Sequence, residues 1–194
     1  ESLPWSEAFI ESYADYWDWR FLSGNNSLPW SESLIDRYAD KWTWSFNWRH
    51  TNKGDIRANL SLNESLPWSE VFIERYADKW DWRFLSGNKS LPWSESLIDR
   101  YADKWNWVSE YEKDNPRRIW SLSRNESLPW SEALIERYAD KWGWRWSSFS
   151  FSRSLPWSEA LIERYADKWD WDGRDGGKQE KSFPCDYSYR FLGH

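Results

Sequence analysis

Apolar and polar positions along this chain fall into a block that returns six times. In residues 130–142, WSEALIERYADKW, Leu134, Ile135, Tyr138 and Trp142 lie at helical spacing, with Glu132, Glu136, Arg137 and Lys141 between them. Ser131 is a good N-cap, and Glu132 in the first turn suits the helix dipole. Trp130, before the cap, stands at hydrophobic-staple spacing from Ile135. Pro129 lies upstream, where it stiffens the approach without breaking a helix. The block predicts an amphipathic helix of about three turns.

A second pattern follows it. Between two tryptophans stand Asp18, Thr43, Asp81, Asn106, Gly143 and Asp170, mostly residue types favoured at an N-cap. In the short copies this predicts a second helix, WRFLS, stopped by Gly-Asn. The rival is a strand after each helix, an α+β repeat, because WTWSFNW at residues 42–48 alternates at period two.

The blocks are tandem repeats. SLPWS begins at Ser2, Ser27, Ser65, Ser90, Ser127 and Ser154, at spacings of 25, 38, 25, 37 and 27 residues. The sixteen residues SLPWSESLIDRYADKW occur identically at 27–42 and 90–105. From the third tryptophan to the next leucine is 3 residues in the short copies (Trp19 to Leu22) but 16 and 15 in the second and fourth. Those copies therefore carry insertions. Asn52-Lys53-Gly54-Asp55 and Asp114-Asn115-Pro116 are turn signals within them, so β-hairpins are expected there. The copies group as three short-plus-long pairs, 63 and 62 residues from one pair to the next. Residues 1–172 read as the array. Residues 173–194 read as a Gly-rich, charged loop and a tail, YRFLGH, that completes the last copy. One repeat cannot bury both of its faces, so stacking into a mainly α solenoid of six short repeats is expected.

The repeat, written LPWSxxLIxxYxDxWDWxxLSxN, resembles Trp-rich tandem arrays in predicted proteins of bacteria and large DNA viruses. The likeness covers the chain except the insertions and the tail. It implies a helical repeat array and brings no assigned activity with it.

Composition narrows the function classes. Net charge is −6, with 26 basic and 32 acidic residues, the reverse of a duplex-binding surface. Apolar runs are a few residues long, so no membrane insertion is expected. One cysteine, Cys185, and two histidines, His50 and His194, leave no framework for disulfides, zinc or a histidine triad; no cofactor or metal is expected. The chain begins at Glu1 inside a repeat and contains no Met, which reads as a fragment or processed product. The compartment stays open, with an extracellular or surface setting the alternative raised by the N-x-S sites.

Candidate chemistry is sparse. Of 21 tryptophans, eighteen occupy three positions per repeat and read as core; Trp48, Trp120 and Trp146 do not. Those three, with Arg49, His50, Tyr111, Arg117 and Arg118, are the candidate partner contacts. The carboxylates Glu132, Glu136 and Asp140 recur in every copy and read as a solvated helix face rather than six acid–base sites. N-x-S occurs at Asn25, Asn59, Asn63, Asn88 and Asn125. These are candidate glycan acceptors in a secreted chain, or simply the joint between copies. An enzymatic site would have to use His50, Asp55 and the tail carboxylates, and no catalytic residue is assigned. The expected function is a non-enzymatic scaffold that binds a protein partner or its own copies, including head-to-tail assembly into a filament. The alternative is carbohydrate binding by the aromatics of the insertions.

Overall fold

A computed structural model describes residues 3–45, 59–108, 120–144 and 148–169. Among these are eight α-helices and no strand: α1 (Glu7–Ser12), α2 (Trp19–Ser23), α3 (Glu32–Arg37), α4 (Glu70–Arg75), α5 (Trp82–Leu85), α6 (Glu95–Arg100), α7 (Glu132–Arg137) and α8 (Glu159–Arg164). The protein is mainly α. The rival reading, a strand after each helix, finds no strand among the described residues. The expected hairpins, the second half of the 42–48 alternation and the 173–194 tail lie outside them.

Each copy starts the same way. Proline fixes a tight turn in which the N–H of Trp30 donates to the Leu28 carbonyl at 2.8 Å. A serine then caps the helix, as Ser31 does by accepting from the Leu34 N–H at 3.1 Å, with Glu32 in the first turn. Ser6, Ser69, Ser94, Ser131 and Ser158 do the same for their own helices.

These helices have six residues, not the three turns expected, and the tryptophans account for the early stop. The Ala139 N–H bonds to Glu136 instead of Ile135, at 3.3 Å. The Ile135 carbonyl accepts the Trp142 indole N–H at 3.1 Å, and the Ala139 carbonyl accepts that of Trp144 at 2.7 Å. Rings thus take carbonyls that a longer helix would give to its own amides. Trp17, Trp80, Trp105 and Trp169 make the isoleucine bond too. Trp42 is the exception, since its buried Nε1 has no acceptor in range. The ring before the cap packs on the ring that ends the block, as in Trp130–Trp142 with centroids 4.9 Å apart. The doubled sixteen-residue stretch therefore closes on itself, tryptophan to tryptophan.

The second helix forms where expected in the short copies. Asp18 and Asp81 cap α2 and α5 by accepting from the N–H of Arg20 and Arg83. In the second and fourth copies a 3-10 turn replaces it, Leu60–Leu62 and Leu122–Arg124.

The chain divides into two compact units, Glu1–Pro92 and Trp93–His194. In the first, the first three copies are joined by one repeated set of bonds. The Ser23 hydroxyl donates to Trp19 in its own helix at 2.7 Å and accepts the Thr43 N–H of the next copy at 2.9 Å. The Ser23 carbonyl accepts Nδ2 of Asn63, also of the next copy, at 3.0 Å. One step on, Ser61 is held identically by the Asp81 N–H and by Asn88. In the second unit, the Gly143 N–H bonds to Ser123. Ser23, Ser61, Ser123, Asn63 and Asn88 are all buried, so each bond satisfies a group that would otherwise be costly.

Charged side chains form an outer ladder. Arg75 reaches back to Glu32 at 2.9 Å and Asp36 at 3.2 Å, and Tyr76 donates to Asp36. In the second unit, Arg137 pairs with Glu95 and Asp99 and Tyr138 donates to Asp99 at 2.6 Å. Lys168 lies 5.8 Å from the Trp144 ring of the preceding copy and 3.2 Å from Asp140. That same Trp144 packs on Tyr165 and Trp169. The ion pairs are half-exposed and contribute on the order of 0–1 kcal/mol each. They set register, while the buried rings and aliphatic side chains supply most of the favourable free energy.

Replacing Asn63 by Ala leaves the Ser23 carbonyl and the Ser65 N–H without their buried partner. The expected loss is about 1–3 kcal/mol by chemical denaturation. Arg75→Met should cost no more than about 1 kcal/mol in the same assay.

Candidate functional site

The recurrent carboxylates of the first and fifth copies are engaged by the copy that follows. Glu7, Glu11 and Asp15 bind Ser31, Arg37 and Lys41. Glu132, Glu136 and Asp140 bind Ser158, Arg164 and Lys168. Read within one copy, this stripe looks like a solvated face interleaved with its own cations. In the structure it is one half of a joint, and the partner cation stands in the next copy. Recurrence of the acids at fixed offsets in every copy, and of the bases in all but the first, was the available signal. No group of three or more His, Cys, Asp or Glu among the described residues is placed to hold a metal ion.

The N-x-S sites have a local explanation. Asn25, Asn63, Asn88 and Asn125 each accept, through Oδ1, the N–H of the serine two residues on, at 2.9–3.0 Å. Asn59 accepts from Leu62 at the start of its 3-10 turn. Asn59, Asn63, Asn88 and Asn125 are buried, and Nδ2 of Asn63 and Asn88 is spent on the preceding copy. In the folded chain a glycan on either nitrogen would displace a joint bond. Asn25 is half-exposed.

What the structure does define is where the insertions leave the frame. In the short first copy, the Leu22 N–H bonds to the Asp18 carbonyl at 3.1 Å, as a helix requires. In the second copy the equivalent leucine, Leu60, bonds to the equivalent carbonyl, Thr43, at 2.8 Å, although an insertion separates them. Leu122 does the same to Asn106 at 2.9 Å. The serine that follows also keeps its partner: Ser61 donates to Trp44 and Ser123 to Trp107, both at 2.6 Å. The fifth copy shows a smaller version, with Phe149 in the leucine position and Ser150 donating to Trp144. In the second and fourth copies the insertion enters between the third tryptophan and the leucine, and the leucine and serine bonds across it are kept.

Trp120 lies at such a root. It is half-buried, and its carbonyl accepts Nδ2 of Asn106 at 2.5 Å, which pins the returning strand of chain to the departing one. It is the one candidate contact residue that falls among those described. Trp48, Arg49, His50, Tyr111, Arg117, Arg118 and Trp146 lie outside them, as do Asp55, Cys185 and His194. In the second unit two roots border a single groove of about 490 Å³. Val108, where the fourth copy's insertion departs, lines it together with Gly143 and Trp144, where the fifth copy's departs, and with Asp140, Asp167 and Lys168. Sequence spacing located the insertions. That they share a root with the unbroken helix could not be read from it, because the Leu60–Thr43 bond spans the insertion.

Tyr138 and Asp99 make the electrostatics of the ladder pH-sensitive. Burial, then the bond to Asp99, pushes the Tyr138 phenol up to about 12; Tyr76, on Asp36, is also pushed up to about 12 for the same reasons. The Tyr138 hydroxyl is the main cause that holds the Asp99 carboxyl below its ordinary value.

No protein-family model matches the chain. No curated protein matches it, and no solved structure does.

Replacing residues 45–59 by Arg-Phe, the link of the short first copy, should preserve the thermal unfolding midpoint to within a few degrees, because the joint bonds are common to both forms. For pH, the folded state keeps the two phenolic protons longer than the unfolded chain does. Stability is therefore intact below about pH 10 and falls as pH rises through about 12. The double variant Tyr76→Phe and Tyr138→Phe should flatten that alkaline decline in equilibrium unfolding. At the acid end, the contribution of Asp99 is present above its ordinary value and lost as pH falls below it.

Proposed function

We propose that the chain is a non-enzymatic scaffold, a helical repeat solenoid that presents its insertions to a protein partner or to further copies of itself. The observation that carries this reading is the common root: insertions of different length attach at one joint and leave its hydrogen bonds intact. A frame that tolerates such grafts can vary its contact elements while its core stays fixed, and insertions in repeat arrays fall on one face for that reason. The first insertion also differs from the frame in charge. Residues 45–58 carry Arg49, Lys53 and Arg57 against a single acid, Asp55, on a chain whose net charge is −6. Trp48, Tyr111 and Trp120 add aromatic side chains of the kind that dominate protein contacts. The β-hairpin form of the insertions belongs to this proposal, as does the resemblance to Trp-rich arrays, which implies a frame and no chemistry.

The test compares the native chain with one whose insertions are all replaced by the short Arg-Phe link. Light scattering and negative-stain microscopy should show assembly, alone or with a purified candidate partner, that the spliced chain lacks at equal helix content. Equal assembly by both chains would refute the role of the insertions. Glycan-array binding abolished by Trp48→Ala and Trp120→Ala would replace the scaffold reading with the carbohydrate one.

A further inference from the structure

At two joints the aromatic core meets a proton acceptor. Trp44 lies against Tyr76 of the next copy with centroids 4.6 Å apart, and against Trp80 at 4.8 Å. In the second unit Trp107 lies against Tyr138 at 4.5 Å and Trp142 at 4.8 Å. Each phenol donates to a carboxylate of the preceding copy, Tyr76 to Asp36 and Tyr138 to Asp99 at 2.6 Å. The joints after the first and fifth copies keep the rings, with Tyr38 on Trp19 at 4.7 Å and Tyr165 on Trp144 at 4.8 Å. There the acid is Glu11 or Glu136, one carbon longer. It takes Arg37 or Arg164, and no bond joins it to the phenol among the described residues.

Indole and phenol differ in what they can do with a proton. Loss of one electron makes either ring a radical cation, and that of the phenol is by far the stronger acid. The indole N–H groups of Trp44, Trp80, Trp107 and Trp142 all donate to main-chain carbonyls, at 2.8–3.1 Å. A neutral amide oxygen is too weak a base to take the proton, so an oxidised indole stays positive. Lys79 and Lys141 stand 5.3 and 5.2 Å from the Trp44 and Trp107 rings, where their charge opposes a positive hole. A carboxylate at the phenol does accept a proton. Both effects drive the hole the same way, from tryptophan to tyrosine.

We infer a redox function that lies outside the scaffold reading: each of these two joints passes oxidising equivalents from its indoles to a half-exposed tyrosine. A one-electron oxidant, an oxygen-centred radical for instance, takes an electron from half-exposed Trp68 or Trp130. Those rings touch Trp80 and Trp142 at 5.0 and 4.9 Å, and the hole moves through them to Trp44 or Trp107. Tyr76 or Tyr138 then gives its electron to that indole and its proton to Asp36 or Asp99. A neutral tyrosyl radical is left beside a carboxylic acid, with every indole restored. A small one-electron reductant of the ascorbate class reduces the radical at the surface, and the proton returns from the acid to the phenol. The net change is one electron passed from reductant to oxidant. A chain with 21 tryptophans gains from such an outlet, because a hole that stays on an indole ends in irreversible oxidation.

The test is laser-flash oxidation of the full chain by a soluble ruthenium polypyridyl dye with a sacrificial electron acceptor. Transient absorption separates the narrow band of a neutral tyrosyl radical from the broad band of an indole radical cation. In the native chain the indole band should give way to the tyrosyl band, more slowly in deuterium oxide, and ascorbate should shorten the tyrosyl lifetime. Asp36→Asn with Asp99→Asn keeps an oxygen acceptor at each hydroxyl but removes the base, and should slow the conversion about 10-fold or more. Asp36→Glu with Asp99→Glu copies the acid of the first and fifth copies, which fold with it, and should act the same way. Either double variant converting as fast as the native chain, at native circular dichroism, would overturn the inference. So would indole radicals that decay with no tyrosyl product.

Discussion

A buried serine hydroxyl at each joint holds the first three copies in register. The Ser23 and Ser61 hydroxyls each donate to a tryptophan carbonyl of their own copy and accept a main-chain N–H from the copy that follows, while their carbonyls take an asparagine amide from that same copy. No other small side chain does both. Alanine lacks the hydroxyl, and threonine adds a methyl in a fully buried place. A shift of one residue between copies would leave two buried groups unpaired at once, so the joint discriminates strongly against every register but one. The ion pairs outside it are too exposed to do this alone.

The tryptophans solve a related problem. Helices of six residues leave most of their carbonyls without intrahelical partners, and at a buried end that would be costly. The indole N–H groups supply donors at those points while the rings supply the apolar mass, so one residue type both ends the helix and fills the core. Phenylalanine could pack there but could not satisfy the Ile135 or Ala139 carbonyl. This explains why three positions per copy are held by Trp while the helix interior accepts Leu or Phe at Leu34, Phe72 and Leu134.

Much of this was legible in the sequence. The repeat period, the serine caps, the Asp-capped second helix and the location of the insertions all follow from spacing and from residue types with strong local preferences. The helix length did not follow, because amphipathic periodicity continues through Tyr138 to Trp142 whether the main chain stays helical or not. The side chains remain on one face while the amides change partner. Nor did the role of the charged positions follow. Arg137 and Lys141 sit among Glu132, Glu136 and Asp140 in sequence, and only the stacking direction shows that Arg137 answers Glu95 and Asp99 of the copy before. Pairing between copies is invisible to a reading made one copy at a time.

The splice carries a consequence for how function can be distributed over such a chain. A loop inserted within a helix would ordinarily break the helix and whatever packs on it. Here the first helical bond, from leucine N–H to the carbonyl between the tryptophans, forms at 2.8–3.1 Å in Leu22, Leu60 and Leu122 alike. The frame tolerates this because the serine after that leucine is anchored on both sides independently of the loop, by its own tryptophan carbonyl and by the next copy. The bonds that hold the copies together are thereby separated in sequence from the segment that varies in length. The identical blocks are held by packing, and the segment between the third tryptophan and the leucine differs in length, charge and aromatic content while that leucine bond is kept.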